Sequence, residues 1–249
     1  MLEALEERYG PQVWSGPRLD PISELVLTIL SQNTADVNSH RAFTALRDRY
    51  PTWEAVLSAP TDELVEVIRP GGLAPTKGPR IQAVLAEIAA ERGALDLSVL
   101  SEMGAREARD WLAALPGIGP KTAALVVLFA FGKPALPVDT HVYRVAWRLG
   151  LLLPKTDVAA SHDILEAALD PEDVYRFHVL FIRHGRDVCR APRPICGLCP
   201  LSALCPYYQR VLKGKAKAAP VPRKAPSGEP RYHDELLHGW APRGTSAGR

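Results

Sequence analysis

Residues Trp111–Gly150 read WLAALPGIGPKTAALVVLFAFGKPALPVDTHVYRVAWRLG, and this stretch decides the fold. A helical pattern runs to Leu115, and Pro116-Gly117-Ile118-Gly119 makes a tight turn. Pro120 then opens a second helix, where proline is tolerated because the first helical amide has no internal acceptor. That helix, Lys121 to Phe131, is apolar on every side, which predicts burial. Its one charge, Lys121, sits in the first turn, and Asp139 follows at the start of another helix.

The glycines have a physical use. A Gly-x-Gly turn feeding a helix start leaves backbone amides pointing one way, unhindered by side chains and backed by the positive end of the helix dipole. Gly117 and Gly119 are therefore candidates for holding a nucleic-acid phosphate. A buried Lys121 would be desolvated beside that dipole, and both effects would lower its pKa toward a neutral, nucleophilic amine. Asp139, as an N-cap, would be held ionised and oriented, which suits a group facing a developing cation.

Working outward, the chain is helical by the same criteria. Asp20 caps a helix with Pro21 in first place and Glu24 in its first turn. That helix is interrupted at Ser31-Gln32-Asn33-Thr34, and the next runs from Ala35 to about Tyr50. Further helices are predicted at Glu3–Tyr9, Trp53–Ser58, Asp62–Ile68, Thr76–Arg92, Ala105–Ala114, Val138–Leu149 and Ser161–Leu169. A last one, Pro171–Gly185, is capped by Asp170. Pro70–Thr76 reads as a turn-rich loop. No segment alternates with period two, so the fold class is all-α.

Composition narrows the function classes. The 249 residues suit one large domain or two lobes. No run approaches the roughly 18 apolar residues of a membrane span. The acidic N-terminus MLEALEERYG is unlike a signal peptide, so a cytoplasmic protein with no membrane partner, acting as a monomer, is expected. From Cys189 onward, eleven Lys or Arg face only Glu229, Asp234 and Glu235, leaving the rest of the chain net negative. A basic end on an acidic body suggests contact with a polyanion. Beyond Arg210 the Lys-, Ala- and Pro-rich composition cannot build a core, so 211–249 reads as an unfolded basic tail.

All four cysteines lie between positions 189 and 205, spaced Cys189-x6-Cys196-x2-Cys199-x5-Cys205. Such clustering points to metal rather than disulfides. The spacing admits either a structural zinc or an iron–sulfur cluster. Arg190 and Arg193 lie inside the first interval, where a metal-stiffened loop would present them to phosphate.

LPGIGPKTA, VDTHVYRV, the cysteine spacing and ILSQNTAD, in these positions, resemble the endonuclease III family of DNA glycosylases, in the helix-hairpin-helix glycosylase superfamily. The resemblance covers about residues 1–210. It implies two all-α lobes with a DNA-binding cleft between them: a six-helix barrel over 20–133, and a lobe of 1–19 with 134–210 whose cysteines hold a 4Fe–4S cluster. It assigns the catalytic lysine to Lys121 and the catalytic aspartate to Asp139, and implies double-stranded damaged DNA as partner. The implied activity is removal of oxidised pyrimidines with strand cleavage 3′ to the abasic site. The DNA-contacting set it implies is Gln32, Asn33, Leu73, Lys77, Gly117, Gly119, His141, Arg144, Arg190 and Arg193. Asn33 stands where family members usually carry a gap-filling glutamine, and Gly72-Leu73-Ala74-Pro75-Thr76-Lys77 stands where many read Gly-Leu-Tyr-Asn-x-Lys. Leu73 would wedge between bases and Lys77 would meet a phosphate. The changed loop keeps open a monofunctional glycosylase for mismatched or alkylated bases. A DNA-binding protein with a structural metal and no catalysis is the reading from another class.

Overall fold

A computed structural model describes residues 1–222; positions 223–249, and with them most of the expected basic tail, lie outside the described residues. In chain order the helices are α1 (Leu2–Tyr9), α2 (Pro21–Ser31), α3 (Asp36–Arg49), α4 (Trp53–Ser58), α5 (Thr61–Val67) and α6 (Ala74–Arg92). They continue as α7 (Ala105–Ala114), α8 (Pro120–Phe131), α9 (Thr140–Arg148), α10 (Val158–Ala167), α11 (Val174–Asp187) and α12 (Pro206–Leu212). Among the described residues there is no strand, and no helix is long and apolar enough to cross a membrane.

Among the described residues two compact units result: Gly16–Lys133, and Met1–Ser15 together with residues 134–222. In the first, α8 packs against α2 and α7, α2 lies on α3, and α4 and α5 lie on α6. The β-branched and aromatic residues of LVVLFAF give α8 modest intrinsic propensity, at most about 0.7 kcal/mol lost per residue. Complete burial of Val126, Val127 and Leu128 contributes about 1.5–3 kcal/mol each, so packing outweighs propensity. Asp20 caps α2 as expected, accepting the Ser23 amide at 3.0 Å.

In the second unit α11 is the central element, packed on α9 and α1. Phe177 and Phe181 stack at 3.8 Å between ring centres, and the buried Arg183 donates to the Tyr9 carbonyl at 2.8 Å. That bond, with the Arg8–Asp187 ion pair at 2.9 Å, ties the N-terminal helix to α11.

Local expectations are corrected at three places. Residues 171–173 form a 3₁₀ turn, α11 starts at Val174, and Asp170 makes no side-chain cap. α6 starts at Ala74, because Pro75 in a first turn sacrifices no hydrogen bond. The tail is placed as far as residue 222: α12 reaches Leu212, then Ala219 donates its amide to the Pro194 carbonyl at 2.8 Å and Tyr207 donates to Lys217 O at 2.9 Å.

Candidate active site

The hairpin begins where α7 ends. The Leu115 carbonyl accepts the Ile118 amide at 3.1 Å, and Gly117 adopts φ +72°. That φ favours glycine, and a Cβ here would also stand 2.5 Å from Arg80 Nε, whose flexible side chain would have to move. Ile118 is buried between the exposed Gly117 and Gly119 and anchors the turn. Gly119 then serves as N-cap with no side chain, and its carbonyl accepts Ala123 N at 3.0 Å. Among the described residues the amides of Gly119, Lys121 and Thr122 have no acceptor. Three unpaired amides at a helix N-terminus, two of them on the exposed Gly119 and Lys121, are chemically suited to an anion.

Lys121 differs from the expectation of a buried amine. Its side chain is exposed, because the apolar body of α8 begins one residue later, at Thr122. The first turn projects with the glycines and carries the lysine with it. What surrounds Lys121 is nevertheless built. Gln32 Nε2 donates to Thr122 Oγ1 at 3.1 Å, and Arg80 NH1 donates to Gln32 Oε1 at 2.7 Å. The loop between α2 and α3 is thus bound to the mouth of α8 through one amide.

In the other unit Asp139 caps α9. Its Oδ1 accepts the amides of His141 at 2.8 Å and Val142 at 2.7 Å, and among the described residues nothing bonds Oδ2. The approach to the cap is pinned from outside. Buried His162 and His178 donate Nδ1–H to the carbonyls of Leu136 (2.8 Å) and Pro137 (2.9 Å), while Glu166 accepts the Leu136 amide at 2.7 Å. One carboxylate oxygen is therefore held while the other stays available. His141 is half-buried, and burial, opposed by Asp139 but aided by Arg144 and Arg186, lowers its pKa. Arg144 NH2 approaches its Nδ1 at 3.0 Å; a guanidinium only donates, so the ring proton of the neutral form sits on Nε2.

The cysteines line one pocket together with Arg148, Val188 and Tyr207. Cys189 follows the end of α11, and Cys205 is the N-cap of α12. Burial pushes the thiols of Cys189 and Cys196 up, and that of Cys199 to about 12. Buried Arg148 donates to the carbonyls of Cys189 (3.2 Å) and Arg190 (2.8 Å) and lies 3.4 Å from Cys189 Sγ. His184 Nε2 lies 3.4 Å from Cys199 Sγ. Among the described residues no three His, Cys, Asp or Glu side chains gather tightly enough for a single ion. The thiols stand around a pocket instead of meeting at a point. This donor set, four thiols around one pocket with an Arg148 N–H beside Cys189 Sγ, fits a thiolate-bound metal centre, whether a cluster or a zinc.

The expected DNA-contacting residues separate into two groups. Asn33, Leu73, Gly117, Gly119 and Arg193 are exposed, and His141 and Arg190 are partly so. Gln32, Lys77 and Arg144 are bonded within the protein, and of the three only Lys77 is buried. Gln32 uses both ends of its amide on Thr122 and Arg80. Lys77 is 2 % exposed, so no phosphate reaches it. Arg144 donates to the carbonyls of Cys189 (2.9 Å), Thr140 (3.2 Å) and Gly185 (2.9 Å), which fastens the cysteine loop to α9 and α11. Sequence reading missed Arg80 and Arg148. The available signal was spacing: Arg80 lies one turn after Lys77, and Arg148 one turn after Arg144, on the same helix faces.

Comparison with known proteins agrees with this arrangement. Residues 26–170 match the family described as HhH-GPD superfamily base excision DNA repair protein. Endonuclease III of Sulfolobus acidocaldarius is 33% identical over 195 residues, 78% of this chain and 85% of that one. Endonuclease III of Thermotoga maritima is 33% identical over 199 residues, 80% and 88% of the two chains. An Arabidopsis thaliana relative, 34% identical, is longer, and the match spans 61% of its length. Among solved structures, a non-covalent endonuclease III–DNA complex superposes with a TM-score of 0.73 at 30% identity, covering 85% of this chain and 95% of the other. A thermostable thymine-DNA glycosylase shares the fold at TM-score 0.68 and 22% identity, covering 84% and 95%. The chain belongs to the HhH-GPD superfamily of base excision DNA repair proteins and, within it, to the endonuclease III family of DNA glycosylases.

Proposed function

We propose that the protein is a bifunctional DNA glycosylase and AP lyase that removes oxidised pyrimidines from duplex DNA. The observation that carries this reading is the exposed primary amine of Lys121 in the first turn of α8, beside the free amides of Gly119 and Thr122. Those amides hold a backbone phosphate next to the lesion. The damaged nucleotide leaves the stack, at a cost of a few kcal/mol. Lys121 Nζ bonds to C1′ as the glycosidic bond breaks, and the base leaves with a proton taken from solvent water. Asp139 Oδ2 faces the positive charge that develops on the sugar and takes the proton that the amine gives up. Opening of the sugar ring yields the Schiff base. Loss of a C2′ proton then expels the 3′ phosphate by β-elimination, and hydrolysis of the imine releases the lysine. DNA covering the hairpin supplies the desolvation of the amine that the free protein lacks. Support comes from the solved likeness described as a trapped endonuclease III–DNA covalent intermediate, at TM-score 0.71 and 30% identity over 85% of this chain and 95% of the other. Borohydride reduction during turnover on an abasic duplex is expected to trap a covalent protein–DNA adduct. A chain that binds this duplex yet gives no adduct has no lyase activity.

The cysteine pocket takes a 4Fe–4S cluster on Cys189, Cys196, Cys199 and Cys205, which supplies a rigid frame and no step of the reaction. Its cationic irons offset the cost of holding four thiolates in a buried site. Arg148 directs an N–H group at Cys189, the His184 ring lies beside Cys199, and Arg144 and Arg148 hold the loop that carries Arg190 and Arg193. Metal analysis of freshly purified protein is expected to give about four irons per chain with the broad visible absorption of iron–sulfur thiolates. Stoichiometric zinc in a colourless protein would refute the assignment.

The departure of the loop from Gly72 to Lys77 favours one second reading, a monofunctional glycosylase for mismatched or alkylated bases. It separates from the first by the Lys121 variant discussed below.

A further inference from the structure

Two loop tips in the Gly16–Lys133 unit share an unusual state. Asn33 has φ +52° and Leu73 has φ +53°, and both side chains are exposed. Asparagine tolerates the left-handed region, but a leucine there is strained by about 1–2 kcal/mol. An exposed apolar side chain, 54 % accessible, on a strained backbone persists only where its surroundings over-determine it.

The surroundings converge on one group. Lys77 Nζ donates to the carbonyl of Leu30 at 2.6 Å, to Thr34 Oγ1 at 2.7 Å and to the carbonyl of Gly71 at 3.1 Å. Thr34 Oγ1 donates in turn to Gly71 O at 2.6 Å, which closes a ring of bonds between the two loops. Asn33 directly precedes Thr34, and Leu73 lies two residues after Gly71. The Lys77 amide also holds the Leu73 carbonyl at 3.0 Å, and Gly71 is seated against α3, where a Cβ would stand 2.9 Å from Ala42 Cβ. All three acceptors of the ammonium are neutral, and the nearby charge is another cation, Arg80. Burial, and then Arg80, push the Lys77 amine down to about 8, so at neutral pH it keeps three protons for three acceptors. A buried charge without a counter-ion is a poor stabilising device, because an apolar side chain of similar size does the same packing without the desolvation cost. Its value lies in geometry: three fixed donors set the distance between two loops.

We propose that Lys77 is a positioning residue for base extrusion, setting the spacing of the Asn33 and Leu73 tips that enter the base stack around a lesion. This inference rests on the proposed glycosylase reading. The tips act as one two-pronged probe: Leu73 wedges between bases and Asn33 occupies the gap left by the extruded one. Misplacing catalytic geometry by about 1 Å costs on the order of 10²-fold in rate.

The test compares two substrates under single turnover. One is a duplex with an oxidised pyrimidine, which must be unstacked; the other is a preformed abasic duplex, which has no base to unstack. Lys77→Met, similar in length but without donors, is expected to lower base release by about 10- to 100-fold. Strand cleavage at the abasic site should change less than about threefold, since no base has to leave the stack. Thr34→Val breaks the same ring from its other side while leaving the ammonium two acceptors. It is expected to show the same split at smaller size, and it decides the matter if Lys77→Met fails to fold. Equal loss on both substrates, or no loss on either, overturns the proposal. A native chain inactive on both substrates overturns the glycosylase reading itself and this inference with it. A native chain active on both, with unchanged variants, overturns the positioning role alone.

Discussion

Replacing Lys121 by glutamine is expected to abolish the borohydride-trapped adduct and to lower cleavage of an abasic duplex by about 10³-fold or more. Stability should hardly change. The side chain is exposed, makes no hydrogen bond to the described residues, and glutamine matches lysine in helix propensity. Surface substitutions of this kind stay within about 0.5 kcal/mol, so thermal unfolding serves as the control. Base release from an oxidised-pyrimidine duplex then separates the two readings. If Lys121 attacks C1′ as the base leaves, release falls with cleavage. If water is the nucleophile, release survives at the native rate while cleavage disappears, and the monofunctional reading replaces the bifunctional one. The structure makes this variant informative because, among the described residues, nothing else bonds the ammonium. Its neighbour Thr122 carries the bond to Gln32, and Arg80 carries the contact to the turn.

Asp139 allows charge and structure to be separated. Asparagine is as good an N-cap as aspartate, so Asp139→Asn should keep the bonds from His141 and Val142 to Oδ1 and leave α9 intact. It removes the charge on Oδ2. Base release and strand cleavage are expected to fall by about 10²- to 10⁴-fold, with the unfolding midpoint close to native. Asp139→Ala should add a stability loss of about 1 kcal/mol, because two amides in the first turn of α9 lose their acceptor. The pair of variants has a clear failing outcome. An asparagine variant with near-native rates would leave Asp139 as a helix cap and nothing more. The pinning of Leu136 and Pro137 by His162 and His178 keeps the cap in place in both variants.

What could be read from the sequence was local in origin. The all-α class, the Asp20 and Asp139 caps, the break at Ser31–Thr34 and the Gly117–Gly119 turn depend on residues within a few positions of each other, and the structure has all of them. Burial of α8 was equally legible, since an apolar surface all round leaves no alternative. Long polar side chains behaved otherwise. Lys121 was expected buried and is exposed; Lys77 was expected at a phosphate and is enclosed; Arg144 and Gln32 turn to partners in the protein. Each reaches several ångströms from its own backbone, and its environment is set by segments distant in the chain. For Lys77 those are Leu30 and Thr34, more than forty residues away, and for Arg144 the cysteine loop. Which atoms can do chemistry follows from helix starts and glycine turns, so the sequence alone determined Lys121 and Asp139 as candidates. Which side chains hold the loops around Asn33 and Leu73 follows from packing between helices, and only the tertiary structure decided that Lys77 and Arg80 do so.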